Sequence, residues 1–352
     1  MAPGRSFGSS RLERRFDADP VICAEGYLFE LERRGYLQAG AFVPEVVLEH
    51  PSKVLELHRE FARAGSDVVL ALTFYAHRDK LRVVGREDAL AQLNLEALSI
   101  ASRVAQETDG LLAGNICNTH VFQPGDAAAA GAAREMFQEQ VAWAVEGGAD
   151  LVVAESFAWA EEARIAAEVI SDAGLPAVVT ISITKQPTTL DGLSAAEACR
   201  HLEGAGAAVV GLNCLRGPTT MLPLLADIRE AVDCHVAALP VVYRTTPEHP
   251  SFVSLEASRP DLVPQGRPFP TALDPFTCDR YEVAEFARQA HDLGVDYIGL
   301  CCGAAPHHVR SLAEAIGRRP EASRYSADLS KHAFLGSAES VGRAASLDAS
   351  EV

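Results

Sequence analysis

A (β/α)8 barrel is the fold this sequence predicts, on three observations. Eight short runs rich in Val, Ile, Leu and Ala recur along 352 residues. Amphipathic stretches of helical spacing separate them. Ala-Gly or Gly-Ala pairs recur just before a run, at Ala64-Gly65, Gly148-Ala149 and Ala205-Gly206-Ala207, which gives a repeated helix-to-strand turn. The runs read as strands over Val21 to Glu25, Asp67 to Phe74, Leu111 to Cys117, Leu151 to Glu155, Ala177 to Ile183, Ala207 to Cys214, His235 to Val242 and Tyr297 to Cys301. They are continuously apolar rather than alternating, as parallel strands buried on both faces require. The intervening helices include PSKVLELHREFARAG, DALAQLNLEALSIASRVAQE, AAREMFQEQVAWAVEGG, AEEARIAAEVISDAG, SAAEACRHLEGAG, LPLLADIREAV and RYEVAEFARQAHDLG. A doubly wound open sheet is the competing architecture, but no G-x-G-x-x-G follows the first strand.

Two segments break the rhythm. Residues 243–276 carry seven prolines and follow the seventh strand, on the side where barrels place their sites, so they are expected to cover the active site. From about Pro320 the sequence turns to Ser, Ala and isolated charges. Residues 1–319 are therefore read as one barrel domain, and 320–352 as a tail, either mobile or an arm that orders against another subunit.

Composition bounds the function. Hydrophobic residues at 48% and charged residues at 22% suit a large core with a soluble surface. A formal charge of -17 repels phosphate backbones, which argues against nucleic acid as a partner. No run reaches the roughly 20 apolar residues of a membrane span, and the start MAPGRSFGSSRLERRF has no apolar signal core, so a cytoplasmic location away from membranes is expected. Eight cysteines in a chain of this size and start fit metal or catalytic duty for some of them better than a disulfide scaffold.

Three cysteines are placed for such duty. Cys214 ends the sixth strand in VVGLNCLRGP, and Cys301-Cys302 close the eighth in YIGLCCGAAP. Strand ends meet at the barrel mouth, so these residues can converge on one ion. Neighbours on an extended strand face opposite ways, so the strand must break at the pair, and Gly303 permits the turn. Three thiolates leave a tetrahedral zinc one open position, into which a substrate thiol can bind. The metal lowers that thiol's pKa, while three anionic sulfurs keep the bound thiolate nucleophilic. Its natural target is a methyl on cationic nitrogen or sulfur, whose leaving group departs neutral and needs no general acid. Ordinary buried thiols would produce the same spacing. Cys23, Cys117, Cys199, Cys234 and Cys278 are read that way, and His307-His308 as part of a capped helix start with one histidine exposed.

At these residues the sequence resembles the homocysteine S-methyltransferase family, most closely its betaine branch, from about Asp17 to Gly317. The motifs are LERRGYLQAG, EHPSKVLELHREFARAGSDV, TFYAHRDKL, GLNC and IGLCCG. The resemblance implies a Zn2+ barrel held by Cys214, Cys301 and Cys302, with homocysteine and a small methyl donor as substrates and methionine as product. It implies that Glu155 in VVAESF holds the homocysteine amino group, and that Tyr75 lines the donor site and can approach the zinc. Glu25, Gly26, Phe42 and Asn213 complete the implied substrate-binding set. A homo-oligomer is expected, a dimer being one form, although the tail is shorter than the arm of the betaine branch.

The departures bear on specificity. Ala24-Glu25-Gly26 stands where the family has Asp-Gly-Gly, so a carboxylate moves by one position and Glu25 is the substitute. Phe42 replaces a donor-site tryptophan, Ser156 an aromatic and Leu300 a glycine. Fewer aromatic and hydroxyl groups then surround a cationic methyl. The expected reaction is methyl transfer from a betaine-type donor to homocysteine. The alternatives are the same acceptor with proline betaine, a dimethylsulfonium acid or S-methylmethionine, and a non-catalytic homologue that only binds.

Overall fold

In a computed structural model of the chain, residues 10–332 and 336 are described. The eight strands close into a parallel barrel in sequence order, each bonded to the next and the eighth to the first. They are β1 (Val21–Ala24), β2 (Val68–Leu70), β3 (Leu111–Cys117), β4 (Leu151–Phe157), β5 (Ala177–Ile181), β6 (Val209–Asn213), β7 (His235–Leu239) and β8 (Tyr297–Leu300). Every residue of β1, β2, β3, β5, β6 and β8 is buried, which is why these runs lack alternation.

The expected strands all form, but most are shorter at their C-terminal ends, and the reasons are local. β7 stops at Leu239 rather than Val242 because Pro240 has no N–H to give the ladder. β6 stops before Cys214, whose φ of 56° turns the chain out of the sheet. β2 ends at Leu70 and not Phe74, since Thr73 N already bonds back to Ala71 O in a turn. β1 and β5 end at Ala24 and Ile181 rather than Glu25 and Ile183. β4 instead runs on to Phe157, with Ser156 at φ 65° and a register shift beside it. β8 ends at Leu300, one residue before the expected Cys301, so the break at the cysteine pair falls where pleat geometry requires it.

The helices wrap the barrel with one apolar face inward. Pro51–Ala64 begins with Pro in its first turn and buries Val54, Leu57, His58, Phe61 and Ala64. Truncating a side chain such as Leu57, which is wholly buried, to alanine would cost about 2–5 kcal/mol. The helix expected from LPLLADIREAV starts earlier, at Pro218, and accommodates Pro223 inside it. In Pro306–Ala315 the imidazole of His308 caps its own helix, accepting from Ala305 N at 3.2 Å, while His307 is exposed. Among the described residues no helix is long and apolar enough to cross a membrane.

At the N-terminal end of the barrel an aspartate repeats just before an even-numbered strand. Asp67 accepts from Ile22 N (2.9 Å), Asp150 from Leu112 N (2.9 Å) and Asp296 from Val236 N (3.1 Å). Each meets a basic side chain as well: Asp67 meets Arg318 and Arg15, Asp150 meets Arg11, and Asp296 meets the His235 ring. Residues 320–332, read from sequence as tail, carry two short 3-10 turns, and Glu321 pairs with Arg63 at 3.0 Å. The rest of the expected tail, residue 336 apart, lies outside the described residues.

Candidate active site

The C-terminal mouth gathers the three cysteines. Their sulfurs all lie within 4.8 Å of one another, with Cys214 to Cys302 at 3.6 Å and Cys301 to Cys302 at 4.0 Å. Two turns achieve this. After β6, Cys214 and Leu215 both take left-handed backbone angles (φ 56° and 53°), and Arg216 locks that turn from below. Its buried guanidinium donates to the carbonyls of Ile183, Thr184, Lys185 and Thr220. After β8, Gly303 turns at φ 86°, and a Cβ there would lie 2.6 Å from the Tyr243 ring. Both conditions demand glycine.

All eight cysteines are free thiols. The Cys214 thiol is held well below its ordinary range by hydrogen bonds from Cys301 and Cys302, whose own thiols are pushed well above it, first by those same hydrogen bonds with Cys214. A divalent ion would favour deprotonation of all three sulfurs. The donor set therefore fits a zinc-type ion: three soft sulfurs at mutual ligand spacing with one side open to the cavity.

Beside the sulfurs stand two carboxylates. Glu155, on β4, is 4% exposed and receives the amides of Asn115 and Asn213, each at 2.8 Å. Burial pushes its carboxyl up to about 8. Glu25, just past β1, is 9% exposed, and burial followed by the charges of Glu155 and Cys214 raises it well above the carboxylate range. Among the described residues neither has an ion-pair partner. Two buried acids this close to each other mark a site where a cation would favour their ionised forms.

Asn213 is the hub beneath them: its amide reaches Glu155, Ser156 Oγ (3.0 Å) and Glu25 (3.5 Å), and its carbonyl accepts from Ser156 N. The positive φ of Ser156 serves that last bond. Gly26 lines the same cavity, and a Cβ there would strike Ala304 O at 2.7 Å.

The remaining expected residues lie further out. The cavity walls include Glu25, Gly26, Phe29, Phe74, Asn115 and Glu155 together with the three cysteines. Phe42 stacks behind Phe29 at 5.3 Å, inside an aromatic cluster with Tyr243 and Phe252. Tyr75 sits at the rim with φ 60°, its amide on Cys117 Sγ (3.3 Å) and Lys80 Nζ 4.4 Å from its ring centroid. The proline-rich segment after β7 packs on the mouth as expected: Phe252 N donates to Leu215 O, and its apolar cluster touches Cys214 and Cys302. Sequence reasoning missed Asn115 and Arg216. Both are polar residues embedded in apolar strand-end sequence, LLAGNIC and NCLRGP, and that incongruity was the available signal.

Fold and site together define a barrel enzyme of the thiol-methylating class. The chain belongs to the homocysteine S-methyltransferase family: that family's profile matches residues 22–316. It is 34% identical to betaine–homocysteine S-methyltransferase 1 of Bos taurus, over 96% of this chain and 82% of that protein. It is 37% identical to the protein of that name in Danio rerio, with the same coverage. It is 33% identical to the S-methylmethionine–homocysteine S-methyltransferase of Pongo abelii, over 96% of this chain and 90% of the relative. Among solved structures, the metallated form of an Escherichia coli homocysteine methyltransferase superposes with a TM-score of 0.66 at 17% identity, over 86% of this chain and 98% of that one, a likeness of fold.

Proposed function

We propose that this S-methyltransferase transfers a methyl group from a betaine-type quaternary ammonium donor to homocysteine in a zinc-dependent reaction that yields methionine. The observation that carries the reading is the juxtaposition of three converging thiols with two buried carboxyl groups that have no ion-pair partner among the described residues. An amino acid bearing a thiol has the groups to answer both.

Cys214, Cys301 and Cys302 would hold the metal, which when bound lowers the pKa of a substrate thiol so that it is nucleophilic near neutral pH. Glu155 and Glu25 take the substrate ammonium, and Asn115 and Asn213 keep Glu155 aimed. Phe29 and Phe74 keep water away from the reacting sulfur and turn aromatic faces that favour a cation to the cavity, with Phe42 backing Phe29 and Tyr75 at the rim. In the transfer the sulfur–carbon bond forms and the carbon–nitrogen bond breaks, with its electron pair staying on nitrogen. The amine leaves neutral, and the thiol proton goes to solvent.

The second reading keeps the acceptor and changes the donor to proline betaine, a dimethylsulfonium acid or S-methylmethionine. Phe42 and Ser156 favour it, as does the relative named for S-methylmethionine. Residues 1–319 form the catalytic unit in either case, and 320–352 is read as an arm of a cytoplasmic homo-oligomer. The test is methionine formation by the zinc-loaded protein with each donor in turn. Glycine betaine should give the highest kcat/KM; a tenfold preference for a sulfonium donor would replace the first reading by the second, and methylation of another thiol but not homocysteine would remove both.

A further inference from the structure

The cysteine pair sits in a turn whose main chain is held from two sides. On one side is the chain just past β7: Cys301 N donates to Pro240 O (2.9 Å) and Val242 N to Cys302 O (3.1 Å). Ala304 N closes the turn itself on Cys301 O at 3.1 Å. On the other side is the chain leaving β1. Glu25 N donates to Leu300 O (2.9 Å), and Gly26 packs so closely on Ala304 that a Cβ would lie 2.7 Å from its carbonyl oxygen.

Gly303 O, the carbonyl just after the pair, is met by a side chain. The helix Tyr27–Arg33 follows Gly26, and its last residue reaches back to the turn. Arg33 Nη1 donates to Gly303 O (3.3 Å) and Nη2 to the Tyr243 hydroxyl (3.0 Å). Tyr243 is wholly buried, and its ring is what a Cβ on Gly303 would strike. Burial raises the hydroxyl above the ordinary tyrosine range, so the phenol stays neutral and accepts from the guanidinium. One planar fork thus joins the carbonyl of the turn to the ring packed on its glycine, a two-point grip that a single ammonium cannot reproduce. Asp274 lies 3.8 Å from the same guanidinium but is 79% exposed and adds little.

We infer that Arg33 is a positioning residue for the metal, fixing the turn after β8 so that Cys301 and Cys302 stand at ligand spacing from Cys214 before an ion arrives. This rests on the zinc reading above and adds a residue from a helix that supplies no ligand. Arg33 is not among the walls of the sulfur-lined cavity and acts through Gly303 and Tyr243. Glycine has more backbone freedom than any other residue, so a turn built on Gly303 at φ 86° needs an external hold to keep one conformation. Without the grip the two thiols have more arrangements open to them, and the ordering cost is then taken from metal affinity.

The experiment measures zinc affinity of the full chain by chelator competition in wild type, Arg33→Met, Arg33→Lys, Tyr243→Phe and the double variant Arg33→Met with Tyr243→Phe. Arg34→Met is the control, since Arg34 caps the same helix but pairs with Glu30 and Glu60 instead of the turn. Arg33→Met should lose about ten- to a hundredfold in affinity, the range seen when a group that orients metal ligands is removed, with unchanged far-UV circular dichroism. Arg33→Lys should recover part of that loss, and Tyr243→Phe should show a smaller one. The double variant should fall no further than Arg33→Met, because the two changes break the same bond. Arg34→Met should match wild type. The inference is overturned if Arg33→Met binds zinc as wild type does, or, should that variant not fold, if Arg33→Lys and Tyr243→Phe do. It is equally overturned if Arg34→Met loses as much or if the two single losses simply add. A wild type that binds no zinc removes the zinc reading and this inference with it; a wild type that binds zinc with an indifferent Arg33 removes this inference alone.

Discussion

The two ends of this barrel treat buried carboxylates in opposite ways. At the N-terminal end Asp67 is 7% exposed, accepts from a strand amide and is held by Arg318 and Arg15. Asp150 and Asp296, both half-buried, repeat the bonding with Arg11 and His235. At the C-terminal end Glu25 and Glu155 are as deeply buried, yet meet only amides, each other and sulfur. One end pairs its acids with basic side chains of the protein itself, and the other holds its two acids without an ion-pair partner among the described residues. Buried acids paired with bases support the fold, and buried acids left without one are available for binding.

The largest test of that contrast is Cys214→Ser. It should abolish stoichiometric zinc and lower turnover by on the order of a thousandfold or more, with far-UV circular dichroism and the denaturation midpoint of the metal-free protein unchanged. Retained turnover would mean that the mouth works without its thiol set. The opposite end should behave in reverse. Arg318→Ala strips a bidentate partner from Asp67, and because Arg318 is itself 25% exposed the cost should be about 2–4 kcal/mol in urea denaturation, somewhat below that of a fully buried pair. Its zinc content and KM for homocysteine should match wild type. If both ends lost metal equally, the division of labour would be wrong.

A third effect belongs to the wall between the ends. His58 is buried with both ring nitrogens unpartnered, and burial lowers its pKa from 6.5 to about 3. Between those two values the unfolded chain binds a proton that the folded protein refuses, so stability falls as pH drops from 6.5 toward 3 and is intact above 6.5. The slope from this group is roughly 1 kcal/mol per pH unit. His58→Leu should flatten the acid side of the stability profile by about that much; an unchanged slope would assign the acid sensitivity to other groups. Smallest is Phe42→Trp, which enlarges the π face behind Phe29. A gain of about 0.5–1 kcal/mol for a quaternary ammonium would lower the donor KM about two- to fivefold and leave the homocysteine KM alone. No change would place the donor elsewhere in the mouth.

Much of this was readable in advance for a specific reason. Strands buried on both faces must be apolar throughout, so β3 and β5 announce themselves, and helices such as Pro51–Ala64 carry their inward face as a period. The three cysteines were legible because strand ends are the mouth in this architecture. Strand endings were less so: β2 stops at Leu70 although the apolar run continues, since the stop is decided by a turn and by bonds to β3. Asn115 and Arg216 escaped notice because the partners of Asn115 come from β4 and those of Arg216 are mostly carbonyls of the loop after β5.

By itself the sequence determined the barrel, the order of its strands and the three sulfurs that converge, because burial and chain connectivity act through local pattern. Only the tertiary structure decided that Glu25 keeps an unpartnered oxygen at the edge of those sulfurs while Glu155 is saturated by two amides. That distinction depends on which atoms from β1, β3, β4 and β6 meet in three dimensions, and hydrogen-bond geometry across strands leaves no trace in the spacing of residues along the chain.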